Sequence, residues 1–206
     1  MAARLPSING LLAKSATTIG ITFAAAVTYP VDVLAFHIAV GRFHRGDTRP
    51  DLVAGGSTNL TVLRNQGGGA FTAAPLALGV GGTWQLVAAD MNSDGLDDIV
   101  APDPRNGRVV VALANAAGGF DAGTPYPAGM TPQSAAAVDL NGDGALDLVV
   151  GSYGSNRVHV FLNSGRPDGS LRAGMSYAIT ESPIWISTGD VNRDGFADLV
   201  VTSLSG

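Results

Sequence analysis

Cysteine is absent from all 206 residues, which excludes disulfides, thiolate metal sites and cysteine nucleophiles together. The compartment stays open, because a β protein stapled by metal ions can live outside the cell without disulfides. Long hydrophobic runs are also missing, and no stretch approaches the ~20 apolar residues that a membrane helix needs. Charged residues make up only 14% of the chain, and no basic patch interleaved with aromatics is present, so nucleic acid is not an expected partner. Helical spacing with caps is lacking through most of the chain. Catalytic signatures are lacking as well: there is no G-x-S-x-G elbow, phosphate loop or H-E-x-x-H. The three histidines, His37, His44 and His159, do not recur as a set.

What the chain does have is glycine, 28 residues of it, and one acidic stretch written three times. The copies are Asp90, Asn92, Asp94 and Asp98; Asp139, Asn141, Asp143 and Asp147; and Asp190, Asn192, Asp194 and Asp198. Each places side-chain oxygens at positions 1, 3, 5 and 9, a glycine at position 6 and an apolar run immediately afterwards. A short loop around a hard cation needs several oxygens directed at one point, a carbonyl near position 7 and a glycine where the backbone turns sharply. The expected carbonyl donors are those of Leu96, Ala145 and Phe196. With no histidine or cysteine in the donor set, Ca²⁺ is expected at about three sites in preference to zinc or copper. The competing reading is three Asp-Gly turns whose side chains bond their own backbone; recurrence of the same four oxygen positions favours the metal. Much of the net charge of −5 lies in these loops.

The anchors Asp90, Asp139 and Asp190 are 49 and 51 residues apart, a period that signals a repeat array. Thirteen residues before them stand Ala77, Tyr126 and Tyr177, and nineteen before them Phe71, Phe120 and Leu171. The same ruler predicts a fourth anchor near residue 42, preceded by Phe23 and Tyr29. Each unit contains four short runs rich in Val, Leu, Ala and Ile bounded by turn residues. In the best copy they cover residues 135–138, 147–151, 158–163 and, more weakly, 175–180. Residues 109–113, Val-Val-Val-Ala-Leu, are apolar on successive positions, so both faces of that strand are expected to be covered. Four strands per unit predicts an all-β protein, a β-propeller of four-stranded antiparallel blades, about four in this chain. Residues 1–206 read as a single domain with 1–6 a disordered start. The segment from about 7 to 29 reads as the last two strands of a unit rather than as a leader ending at residues 24–26. The two termini are then placed to share one blade and close a ring; the rivals are a fragment of a larger ring or half-rings pairing between two chains as a homo-oligomer.

The motif Asp-x-Asn-x-Asp-Gly-x-x-Asp-hydrophobic, at this spacing over about residues 7–206, resembles the FG-GAP (VCBS) repeat family, known from integrin α-chain propellers and many secreted bacterial proteins. The resemblance implies a calcium-stabilised propeller that binds a protein or a glycan in recognition or adhesion, with no catalytic residues. The alternatives are a domain of a secreted carbohydrate-active enzyme, such as a polysaccharide lyase, or a structural fragment. The first copy departs from the motif. Residues 42–51 put Arg42 and His44 at ligand positions 1 and 3 and carry one extra residue, so that loop is expected to be empty, with Arg42 pairing Asp47 or Asp51 as a fixed substitute for the ion. The tripeptide Arg45-Gly46-Asp47 inside it is read as chance. Asn59-Leu60-Thr61 is a glycosylation sequon only on a eukaryotic secretory route. Trp84 and Trp185 precede their anchors closely and are expected to pack between blades, with sugar stacking the lesser reading. At millimolar calcium and a Kd of 10⁻⁴ to 10⁻³ M, each loop gains roughly 0.4 to 1.4 kcal/mol. That gain would nearly vanish at cytosolic calcium, so a secreted or cell-surface location is expected.

Overall fold

The computed structural model describes residues 7–10, 13–14, 22–23, 26–31, 34–46 and 48–204. Among the described residues eighteen strands alternate with tight turns, and three blades are complete. The first is β5 (His37–Gly41), β6 (Asp51–Gly55), β7 (Leu60–Gly67) and β8 (Ala70–Leu76). The second is β9 (Val87–Ala89), β10 (Asp98–Asp103), β11 (Arg108–Ala112) and β12 (Thr124–Pro127). The third is β13 (Pro132–Val138), β14 (Asp147–Ser152), β15 (Arg157–Phe161) and β16 (Met175–Ala178). Every neighbouring pair is antiparallel and consecutive in sequence, the meander that short Gly- and Asn-bearing connections permit.

Half-blades stand at each end. β17 (Ser182–Gly189) pairs with β18 (Asp198–Leu204). Before the first blade, β1 (Ser7–Gly10) pairs with β4 (Val27–Pro30), and β2 (Ala13–Lys14) with β3 (Thr22–Phe23), which is one long hairpin. The reading of residues 7–29 as two strands of a unit thus has its counterpart in the structure, while residues 1–6 lie outside the described ones. Among the described residues β18 forms no ladder with β1. The first strands of successive blades lie against one another, β5 on β9, β9 on β13 and β13 on β17. The His37 and Trp185 rings, from the first and last of these strands, are 5.7 Å apart.

The core lies between blades, and strand periodicity explains why. Successive side chains of a strand point to opposite faces. In β10 and β11, Ile99, Ala101, Val110 and Ala112 join Val53, Val62 and Leu86 in the seam with the first blade. The alternate residues Val100, Val109 and Val111 join Ala135, Leu148 and Val150 in the seam with the third. Both faces of residues 109–112 are therefore buried, as their unbroken apolar run predicts. Fully burying side chains of this kind is worth about 1.5–3 kcal/mol each, so the seams carry the stability of the array.

The repeat positions found by spacing become seam staples. The Tyr126 hydroxyl accepts the Leu171 amide at 3.1 Å, and the Tyr29 hydroxyl accepts the Phe71 amide at 3.1 Å while its ring meets Phe71 edge-on at 5.6 Å. A residue thirteen before one anchor thus holds the residue nineteen before the next. Ala77, at the equivalent position, has no hydroxyl to offer. The tryptophans make the expected contacts between blades, Trp84 stacking on Phe36 at 4.8 Å and Trp185 lying 5.7 Å from His37, although they remain 51% and 41% exposed.

Candidate metal-binding loops

Each acidic loop joins the first two strands of a blade. Its position-6 glycine takes a left-handed backbone, φ +86° at Gly95, +85° at Gly144 and +89° at Gly195, which a side chain would strain. That turn aims the loop amides inward, and the position-1 aspartate collects them. Asp90 accepts the amides of Asp94 at 3.1 Å and Gly95 at 2.8 Å. Asp190 repeats this with Asp194 at 3.1 Å and Gly195 at 3.0 Å. Asp139 accepts Gly142 and Gly144 at 2.8 and 2.9 Å, and these amides, Gly144 first, hold its carboxyl below the usual carboxylate range.

Positions 3 and 5 follow the same plan. Asn92, Asn141 and Asn192 accept the position-5 amide at 3.2, 2.8 and 2.8 Å. Asp94, Asp143 and Asp194 accept the amides of Leu96, Ala145 and Phe196 at 2.8, 2.9 and 2.9 Å. Leu96 and Ala145 are buried, whereas Phe196 is 59% exposed.

Position 9 is set apart. Asp98 and Asp147 have no exposed surface. One oxygen of each accepts the position-2 amide, of Met91 at 2.8 Å or Leu140 at 3.0 Å. The other accepts an amide just beyond the third strand, of Ala114 or Asn163, at 2.8 Å. Asp198 accepts Val191 at 2.9 Å. This aspartate therefore ties its loop to the blade. Burial pushes the Asp98 carboxyl up to about 7, against the pull of the Ala114 and Met91 amides, and the neighbouring charges of Asp90 and Asp94 push the same way.

All the predicted side-chain donors thus lie in their loops on backbone amides, the arrangement of the Asx-turn reading. No group of three or more Asp, Glu or His side chains among the described residues is drawn together as a ready-made metal cage. The chemistry fits a hard cation nonetheless. The donors are all oxygen, a carboxylate oxygen that accepts one amide retains further lone pairs, and the raised Asp98 carboxyl lacks a nearby positive charge from its own loop.

In the first-blade loop, 42–51, the expected pairing of Arg42 with Asp51 is not the one formed, and the alternative pairing with Asp47 falls outside the described residues. Asp51, with no exposed surface, is the position-9 counterpart and accepts the Asn65 amide at 2.8 Å. Its other oxygen is met by Arg64 at 2.9 Å and His44 at 3.0 Å. The fixed substitute charge comes from β7. Arg42 instead donates to the Gly95 carbonyl of the next loop, because its backbone is already docked there: Asp97 N–H reaches the Arg42 carbonyl at 2.8 Å.

A family model described as FG-GAP-like repeat matches the chain three times, over residues 45–101, 90–150 and 139–201. Phosphatidylinositol-glycan-specific phospholipase D of Bos taurus is 29% identical over 152 residues, covering 58% of this chain and 18% of that protein. The Homo sapiens protein of the same name is 28% identical with the same coverage. The chain therefore spans less than a fifth of the length of these relatives. Among solved structures, BBS1N in complex with ARL6DN superposes with a TM-score of 0.56 at 16% identity, over 88% of this chain and 53% of that one. An Agrocybe aegerita lectin that recognises non-reducing terminal N-acetylglucosamine superposes with a TM-score of 0.55 at 19% identity, over 88% and 54%. Both likenesses bear on the fold. No helix among the described residues is long and apolar enough to cross a membrane.

Proposed function

The chain belongs to the FG-GAP-like repeat family, and we propose that it is a non-catalytic, calcium-stabilised β-propeller module that recognises a protein or a glycan. The observation that carries the calcium reading is one hydrogen-bond framework repeated in three acidic loops, with the buried Asp98 carboxyl raised to about 7 beside two further carboxylates. The residues that would hold the ions are Asp90, Asn92, Asp94, Leu96 (carbonyl) and Asp98; Asp139, Asn141, Asp143, Ala145 (carbonyl) and Asp147; and Asp190, Asn192, Asp194, Phe196 (carbonyl) and Asp198. Bound calcium supplies positive charge to these carboxylates and pins the turns; its role is structural. A divalent charge among clustered carboxylates relieves their repulsion, which the backbone amides alone do only in part.

The recognition reading draws on the family and on the two similar solved structures, one a protein complex and one a lectin. Weak calcium loops are useful where calcium is millimolar, which supports a secreted or cell-surface setting. Glycan-array and pull-down binding that is lost on chelation and regained with calcium is the expected result. Binding indifferent to chelation, in a protein whose melting is also indifferent, would overturn it. A second reading, a domain carried by a larger secreted enzyme, is favoured by the phospholipase D relatives. Under it this chain alone turns over no substrate and binds the enzyme's target, which assays of the isolated chain separate from activity.

A further inference from the structure

Among the differences between the three acidic loops, one concerns charge: the partner of Oδ2 of the position-5 aspartate. In the loops at 139–147 and 190–198 it accepts the side-chain amide of the loop's own asparagine, Asn141 or Asn192, at 2.9 Å. In the loop at 90–98 it is approached by a cation from another blade. The Arg45 guanidinium stands 3.7 Å from Asp94 Oδ2 and donates to the Asp94 carbonyl at 3.3 Å. Arg42 adds a second contact, its guanidinium donating to the Gly95 carbonyl. A Cβ added at Gly95 would lie 3.8 Å from that guanidinium, whereas one at Gly144 or Gly195 would meet nothing within 4 Å. The fourth carboxylate of this loop, Asp97, is engaged by the Arg42 amide at 2.6 Å. The loop at 139–147 contains no arginine, and Arg193 forms no ion pair with the carboxylates of its own loop among the described residues.

We infer that the first-blade loop acts as a tethered cationic cap on the loop at 90–98, so that Arg42 and Arg45 already supply part of the charge an ion would bring. This rests on the calcium reading above. A guanidinium at Asp94 both competes for that carboxylate and repels an incoming divalent ion, so this loop is the weakest of the three calcium sites. Arg45 is 61% exposed, and a cleft of about 440 Å³ lined by Arg42, Arg45, Asp94 and Gly95 opens beside it. Arg45 can therefore swing into solvent when an ion enters, without disturbing the core. Filling this loop is then coupled to release of the first-blade loop, and the other two loops fill without such a linkage.

The test is a calcium titration of the full chain followed by the backbone amide resonances of Gly95, Gly144 and Gly195, for wild type, Arg45→Ala and Arg45→Lys. Gly95 is expected to respond last in the wild type. Arg45→Ala is expected to lower its midpoint about threefold, the worth of an exposed ion pair, with the Gly144 midpoint unmoved and Arg45→Lys between the two. In addition, the side-chain Nε–H resonance of Arg45 should shift with the Gly95 midpoint and not with the Gly144 one. Equal midpoints for the three glycines, unmoved by either variant, would overturn this inference and leave the calcium reading standing. No response of any glycine up to millimolar calcium would overturn both.

Discussion

At residues 51 and 147 the same aspartate heads the second strand of a blade, buried without exposed surface in both, and the company it keeps is different. Asp147 is met by two backbone amides, of Leu140 and Asn163. Asp51 is met by one amide, a guanidinium and an imidazole. Above Asp147 the loop gathers two further carboxylates, Asp139 and Asp143; above Asp51, positions 1 and 3 hold Arg42 and His44 where the other loop holds Asp139 and Asn141. The fold needs a carboxylate at this point to tie loop to strand, and the charge that carboxylate brings must be answered. One blade answers it from inside the chain; the other, on the calcium reading proposed above, leaves it to the solvent's cations. On that reading the first solution is permanent and the second depends on ion concentration, which would make only the second a means of regulation.

The contrast breaks most sharply at Arg64. Arg64→Ala leaves Asp51 buried with a single amide and His44, and loss of one partner of a buried pair costs about 3 kcal/mol. Urea unfolding measures it, and the loss should be the same with and without chelator. Replacing both members, Arg64→Met with Asp51→Asn, should recover most of the stability. A loss that depended on calcium would show that the first-blade loop is not internally neutralised.

Chelation comes next in size. Removing calcium from three sites should lower stability by about 2 kcal/mol at millimolar starting calcium. Asp143→Ala should abolish about a third of that shift, whereas Asp47→Ala, in the loop that carries its own charges, should leave it intact. Differential scanning calorimetry with and without chelator reads both, and equal shifts for the two variants would erase the distinction between the loops.

Acid sharpens the comparison further, because two aspartates titrate in opposite senses. The Asp98 carboxyl is raised by burial to about 7, against ~3.9 when unfolded. The folded state therefore keeps this proton longer than the unfolded one, and calcium-free stability from this group falls as pH rises from about 4 through 7. The Asp139 carboxyl is lowered by the loop amides, so its contribution is complete above the unfolded value and is lost only as pH falls below it. Melting in chelator between pH 5 and 8 should decline with pH, and Asp98→Asn should flatten the slope while Asp139→Asn leaves it unchanged.

The period, the blade meander and the framework of the acidic loops were legible because each is local: a glycine where φ is positive, an oxygen two residues before the amide it accepts, a strand bounded by turns. What escaped the sequence reading crosses between strands or blades. Arg64 holds Asp51 from thirteen residues away on the neighbouring strand, β7 against β6, and Arg42 and Arg45 reach loop carbonyls some fifty residues on. One signal for Arg64 did exist. It precedes the residue whose amide binds the buried aspartate, the place that Leu113 and Leu162 fill in the next two blades. A lone arginine in an apolar register marks a buried acid, and the acid missing its metal stood one strand away.

The seams give the smallest and cleanest comparison. Tyr126 binds the Leu171 amide across the second blade's outer edge, while Ala77, its counterpart one repeat earlier, binds nothing of the kind, and that seam relies on Phe43 meeting Phe120 at 5.4 Å. Tyr126→Phe keeps the ring, which lies 5.8 Å from Phe161, and removes only the hydroxyl. Because both partners are part-buried, water can take over the orphaned amide, and the expected loss is about 0.5 kcal/mol. Stability alone would scarcely resolve that, so the decisive reading is local: hydrogen exchange of the Leu171 amide should quicken severalfold while that of Phe71, held by Tyr29, stays as it was. Unchanged exchange at Leu171 would mean that the hydroxyl decorates the seam and that apolar packing alone sets the blade-to-blade register.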